Sequence, residues 1–211
     1  MDHRQERMNN LIIKTFYECL AEEDFSQVTV GKIAERALIN RSSFYRYYAD
    51  KYALRDAVVD AIVQDFAEHM EVDFLHMDVK KKEHTRSLEA GLARLWEQKW
   101  KLEILWNQRL LGRNVFEEMM DAGAKKVEME IRNHPTISEE KKRYADWYAR
   151  LLVNNYLVTV RWWFNNSDNV LASQVTDMMK QHMLFGTIPT LKSAAKDSFA
   201  KRDLSDMSNS V

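Results

Sequence analysis

Between Thr29 and Lys51 the chain reads TVGKIAERALINRSSFYRYYADK, the stretch best equipped to engage a polyanion. Over Val28–Lys51, five basic residues (Lys32, Arg36, Arg41, Arg46 and Lys51) stand against two acidic ones, Glu35 and Asp50. An arginine offers a fork of donors that fits a guanine edge or a phosphate, and serine and tyrosine hydroxyls reach phosphate oxygens. Arg41, Ser42, Ser43, Tyr45, Arg46 and Tyr47 follow one another with only Phe44 between them. This chemistry is recognition, not bond making.

Two short helices are needed to hold such a set. Thr29 can cap a helix through its hydroxyl. Val30, Ile33, Ala34 and Ala37 then share one face by their i, i+3, i+4, i+7 spacing, which leaves Lys32, Glu35 and Arg36 outside. Asn40 offers a second cap, for a helix over Arg41–Tyr47 that Phe44 and Tyr48 anchor inward. Two short helices joined by a few residues read as a helix-turn-helix. Spacing alone fits an amphipathic helical hairpin with a solvated charged face equally well.

The stretch resembles the DNA-binding signature of the TetR family of bacterial transcriptional regulators, roughly T-V-x-x-I-A-x-x-A-G-V-S-x-x-T-F-Y-x-H-F-x-x-K. Thr29, Val30, Ile33, Ala34, Ala37, Phe44, Tyr45 and Lys51 match it outright. Ile39, Asn40, Ser43, Tyr47 and Tyr48 match conservatively. The signature's turn glycine is Leu38 here, which is strained if that position needs a positive φ. The resemblance covers the first quarter of the chain. It implies that Arg41, Ser42, Ser43 and Arg46 face the major groove, that Thr29, Lys32, Tyr45, Tyr47 and Lys51 bind the DNA backbone, and that Asn40 belongs to the same interface. It also implies a double-stranded operator, a homodimer and a small-molecule effector, with repression the most common outcome. Arg161-Trp162-Trp163 resembles the end of a helix in a subgroup common in Gram-positive bacteria.

Composition narrows the alternatives. Gly 5 and Pro 2 in 211 residues are few breakers, so the expectation is an all-α protein; the resemblance implies an N-terminal three-helix domain followed by a helical ligand-binding and dimerisation domain. The net charge of −1 does not oppose DNA binding, because only the footprint has to be basic. One cysteine, Cys19, forms no intrachain disulfide and reads as a packed thiol in a reducing, cytoplasmic setting. The N-terminus lacks an apolar signal segment, and no apolar run has bilayer length. The scattered glycines, unpatterned histidines and single cysteine give no phosphate loop, metal site or catalytic constellation, so no cofactor is expected.

Along the chain, a first helix is expected over His3–Glu22 and a linking helix from Asp50, its cap, to Phe74. The domains expected are 1–51, the linking helix 51–74, an effector and dimerisation domain 75–190, and a polar tail 191–211. A lysine-bearing connector is read over Met77–His84, and helix resumes at Thr85. Gly112 and Gly123 are read as breaks, and Pro135 ends a helix at Asn133. A long helix is expected over Ser138–Asn165, and a last one, capped by Ser167 or Asp168, up to Gly186.

The last two helices are apolar on more than one face, which a thick monomer core explains as well; the resemblance implies a dimer interface there, at Tyr156, Val160, Trp163, Val175, Met179 and Met183. Trp96, Trp100, Phe116, Met119, Met120, Trp147 and Tyr148 could line a pocket for an apolar or aromatic effector, though core packing explains each of them as well. The alternative function is an all-helical adaptor or effector-binding module without DNA binding.

Overall fold

The computed structural model describes residues 3–72, 82–110 and 112–186. Every regular element among them is helical, as expected: α1 (His3–Glu22), α2 (Val30–Arg36), α3 (Arg41–Tyr45), α4 (Lys51–His69), α5 (Lys82–Glu97), α6 (Lys99–Asn107), α7 (Val115–Asn133), α8 (Glu139–Lys142), α9 (Ala145–Asn166) and α10 (Ala172–Phe185). The linking helix ends at His69, short of the expected Phe74, because Met70 turns to an extended conformation; the connector up to Lys81, Leu111 and the polar tail lie outside the described residues.

The first three helices close on a small core. Ile12, Phe16 and Leu20 of α1 meet Phe25, Val28, Ile33 and Phe44, all almost fully buried, and Phe16 packs edge-on against Phe25 at 6.1 Å. Burying a side chain of this size contributes roughly 1.5–3 kcal/mol, which offsets the ordering of a short chain segment. The caps expected at Thr29 and Asp50 are present. Thr29 Oγ1 accepts from Lys32 N at 3.2 Å, and Asp50 Oδ1 accepts from Tyr52 N and Ala53 N at 2.8 Å each. Cys19 is buried, and that burial pushes its thiol pKa up.

In the larger body, α7 packs on α4 and α9. The expected break at Gly123 is absent, and α7 runs straight through it. A Cβ there would lie 2.9 Å from Met70 Sδ and 3.0 Å from both Phe66 Cε1 and Val153 Cγ1. The glycine is a contact surface between three helices, and that packing outweighs its poor helix propensity. Gly112 does mark a break, at φ 94°.

Other boundaries also differ. The expected helix from Ser138 divides into one-turn α8, capped by Ser138, and α9. The α10 helix begins at Ala172 because Gln174 Oε1 accepts from Leu171 N at 2.8 Å, while Ser167 Oγ instead donates to Phe164 O at 3.2 Å. The helix expected from Thr85 starts earlier, at Lys82, and α5 and α6 part at Gln98.

Gly123→Ala is expected to destabilise the protein by about 1–3 kcal/mol through overpacking. Denaturant unfolding of the two proteins measures this. An unchanged midpoint would mean that the three helices are not in close contact at Gly123.

Candidate nucleic-acid interface and an internal cavity

The turn between α2 and α3 sets how the second helix is presented. Ile39 N donates to Ala34 O at 2.9 Å and Leu38 N to Glu35 O at 3.1 Å, the paired bonds of a Schellman turn. Leu38 occupies the left-handed position at φ 55° with 93% of its surface exposed. A β-carbon there costs about 1–2 kcal/mol, so the turn bonds hold the residue against its own preference.

α3 is one turn long and ends at Tyr45, shorter than the expected Arg41–Tyr47. The chain closes behind it with Tyr47 N and Tyr48 N both donating to Phe44 O, at 2.9 and 3.1 Å. Phe44 is fully buried, and Tyr48 Oη donates to Asn9 Oδ1 at 2.6 Å, so the helix is fastened to α1. The opposite face carries Arg41, Ser42, Tyr45 and Arg46, all exposed, with Ser43 and Tyr47 half-buried beside them. Arg41 and Arg46 have no ion-pair partner among the described residues. The Arg41 guanidinium lies over Gly31, where an added Cβ would come within 2.7 Å of Nη2. Asn40 caps with its backbone alone, which leaves its amide exposed.

Two expected backbone binders are already engaged. Lys32 Nζ pairs with Glu23 Oε2 and donates to Gln27 O at 3.1 Å. Lys51 Nζ donates to Phe25 O at 2.9 Å, Ser26 O at 3.2 Å and Val28 O at 2.7 Å, and sits 4.7 Å from the centre of the Phe25 ring. An ammonium has three protons, and these carbonyls take all of them. Burial holds the Lys51 pKa below the ordinary lysine value. The expectation that Lys51 binds phosphate is therefore revised: it fastens the loop leading into α2.

Contacts far apart in sequence brace this head. Gln108 Oε1 accepts from Phe25 N at 3.2 Å, and Gln108 Nε2 donates to Leu20 O at 2.6 Å. Arg55 Nη1 donates to Leu110 O at 3.0 Å. Arg113 pairs with Asp56 at 3.1 Å, Asp60 at 2.7 Å and Glu118 at 2.6 Å. Nothing local in the sequence marks these residues, because the partners of Gln108 lie more than eighty positions away.

A cavity of about 90 Å³ opens among α4, α5, α9 and α10. Phe66, Met70, Leu88, Leu95, Tyr156 and Met179 form its apolar wall. None of the seven expected pocket residues lines it. Trp96 stacks on Trp163 at 4.7 Å, Trp100 meets Tyr17 at 5.2 Å, and Phe116 meets Trp106 at 5.5 Å. Met119 is core, Met120 is half-buried, and Trp147 is exposed beside Tyr148 at 4.9 Å.

The expected dimer residues are also largely accounted for within one chain. Val160, Trp163, Val175 and Met179 are buried, and Tyr156, Met179 and Met183 line the cavity. The exposed apolar stripe of α9 is Trp147, Leu151, Val158 and Trp162, with Met178 and Phe185 on α10.

A capped helix, a Schellman turn and a short second helix with an exposed arginine, serine and tyrosine face define a helix-turn-helix head. Residues 12–58 match the model of bacterial regulatory proteins, tetR family. A curated relative, the uncharacterized HTH-type transcriptional regulator YxbF of Bacillus subtilis (strain 168), is 32% identical over 69 residues, covering 31% of this chain. The match spans only 18% of that relative's length. Among solved structures, the fatty acid degradation regulator FadR from Bacillus halodurans aligns with TM-score 0.60 at 15% identity, covering 86% of this chain and 97% of that one. NalD, the secondary repressor of the MexAB-OprM multidrug efflux pump in Pseudomonas aeruginosa, aligns with TM-score 0.59 at 16% identity, covering 88% and 98%. At these identities the likeness is one of fold.

Lys51→Met is expected to cost about 1–3 kcal/mol of stability by stranding loop carbonyls. The same variant should leave the salt dependence of duplex binding unchanged. A fall in the log–log salt slope of about 1 would instead assign Lys51 to a phosphate.

Proposed function

We propose that the chain is a DNA-binding transcriptional regulator rather than an enzyme or an adaptor. The exposed Arg41–Tyr45–Arg46 face, with both arginines free of intramolecular ion pairs among the described residues, carries this reading. Arg41, Ser42, Ser43 and Arg46 read base edges, and Thr29, Tyr45 and Tyr47 hold phosphates. Thr29 Oγ1 accepts from Lys32 N, and its hydroxyl proton stays available to a phosphate oxygen. Lys32 reaches DNA only by exchanging Glu23 for a phosphate. Duplex binding should weaken steeply as salt rises, through counterion release. Arg41→Ala and Arg46→Ala should each cost about 1–3 kcal/mol at particular base pairs, read by binding to a panel of single-substituted duplexes. A chain that ignores duplex DNA at low salt would be the adaptor instead.

The protein acts as a homodimer on a palindromic site. Leu151, Val158 and Trp162 continue from Trp147 at spacings of four, seven and four, a single stripe on α9, and each is at least 42% exposed. Exposed apolar surface of this extent marks an interaction face, and a second copy covers it symmetrically. Light scattering should give twice the chain mass of 25.0 kDa. Leu151→Glu with Val158→Lys should return a monomer with weaker operator binding. A wild-type monomer at micromolar concentration would remove the symmetric-operator reading.

The cavity is the effector site. Its walls include Asp65, Phe66, His69 and Met70 at the end of α4, whose first residue, Lys51, fastens the reading head. A ligand that binds one placement of α4 better than another changes the spacing of two heads, and therefore operator affinity.

A further inference from the structure

The effector reading leaves the ligand's chemistry open, and the cavity's polar groups narrow it. Among the charged side chains, Asp65 and Arg94 neutralise each other. Arg94 Nη2 bonds Asp65 Oδ1 and Arg94 Nε bonds Asp65 Oδ2 at 3.2 Å, while Gln98 Nε2 adds a bond at 2.7 Å. Burial pushes the Asp65 carboxyl up, but the bonds from Arg94 and Gln98 outweigh it and hold its pKa below the usual value. His69 Nδ1 lies 2.9 Å from Asp65 O, which makes that nitrogen the donor. The one arginine of the lining is thus committed, and an anionic ligand meets no unspent permanent cation. The remaining carboxylate, Glu71, is exposed at the rim.

The inner polar groups, Tyr156, Asn155 and Ser87, include unspent donors. Tyr156 packs against Phe66, with the rings inclined by 28° and their centroids 6.5 Å apart, and its hydroxyl finds no hydrogen-bond partner among the described residues. Burial pushes its pKa up, so it stays a neutral O–H donor. Gly91 makes room for it: a Cβ there would stand 3.0 Å from the hydroxyl oxygen. Asn155 also lines the cavity. The Thr159 hydroxyl gives its one proton to Asn155 O at 2.7 Å, so the Asn155 amide keeps its Oδ1 acceptor, and its Nδ2 finds no acceptor among the described residues. Two unpaired donors over an apolar floor make a polar address for one acceptor atom. A volume of about 90 Å³ admits a single ring or a short chain, and Met70, Met179 and Met183 adapt to its outline.

We propose that the cavity takes an uncharged apolar molecule bearing one hydrogen-bond acceptor, a small ketone, ester or amide, with Tyr156 as the donor that selects it. This rests on the effector reading above but is tested apart from it. Full-length protein with ¹³C-methyl methionine is titrated with acetophenone, toluene, benzoate and benzylamine, four probes with one ring and different heads. Acetophenone should move the Met70 and Met179 signals saturably and bind tightest of the four. Tyr156→Phe keeps the ring, so the melting temperature and toluene binding should hold while acetophenone binding falls about five- to tenfold. Should Tyr156→Phe prove unstable, Asn155→Leu is the second variant, with the same loss expected.

Tightest binding by benzoate or benzylamine, no binding of acetophenone, or equal acetophenone affinity in wild type and both variants would overturn the proposal. Affinity for a duplex recovered by selection, with and without saturating acetophenone, separates the two claims. Tyr156-dependent binding that leaves duplex affinity unchanged sinks the effector reading and keeps the ligand class. Benzoate that binds best and shifts duplex affinity does the reverse.

Discussion

The Lys51 ammonium is the contact on which the N-terminal arrangement depends. It gathers the carbonyls of Phe25, Ser26 and Val28, three peptide groups that would otherwise face outward from an irregular loop. Buried carbonyls need a donor, and a lysine at the first position of α4 supplies three. The loop it closes ends at Thr29, the cap of α2. The start of α4, the entry to α2 and the presentation of α3 are therefore one mechanical unit. Phe25 joins that unit from the other side, with its ring under the ammonium and edge-on against both Phe16 and Tyr52.

That unit is not isolated from the body. Gln108 bonds the same Phe25 through its backbone N–H, and Arg113 reaches two α4 carboxylates one turn apart. The Arg113 pairs are partly exposed, so each contributes little to stability alone. Their value is positional, since three carboxylates and a planar guanidinium fix the α6–α7 connector against α4. Gly123 does the same at the other end of the helix, bringing α7 into contact with Phe66 and Met70. α4 is thus held along its length by one partner helix and at its start by the head.

What can be read from sequence follows distance along the chain. The helix-turn-helix is legible because caps, apolar spacing and the outward arginines all act within about a turn of one another. Even Leu38 announces its turn, since it stands where the resemblance puts a glycine, and its φ of 55° is the result. Lys51 misleads because a lysine beside an arginine-rich stretch looks like a free cation until its partners, 23 to 26 positions earlier, are in view. The aromatic residues carry even less directional information. Trp96 and Trp163 are both large and apolar, yet sequence does not say that they stack on each other instead of enclosing space. Gly123 suggests a break because propensity weighs against a mid-helix glycine, and only the neighbouring helices supply the reason for one to stand there.

The same geometry constrains how far a signal from the cavity could travel on the proposed reading. A ligand shifts an equilibrium only by its difference in affinity for two arrangements, and couplings of about 1–3 kcal/mol are ordinary. The cavity wall supplies Phe66 and Met70, the two side chains that also press on Gly123. A ligand that spreads this wall must therefore either displace α7 or slide α4 along it. Displacing α7 breaks a close three-helix contact, which costs more than a surface ion pair. Sliding α4 strains polar contacts instead, those of Arg113 and Arg55 near its start and those of Asp65 and the Ala67 carbonyl near its end. The softer path leads toward Lys51 and the loop it holds, and so the head is the part of the molecule that this cavity is mechanically placed to move.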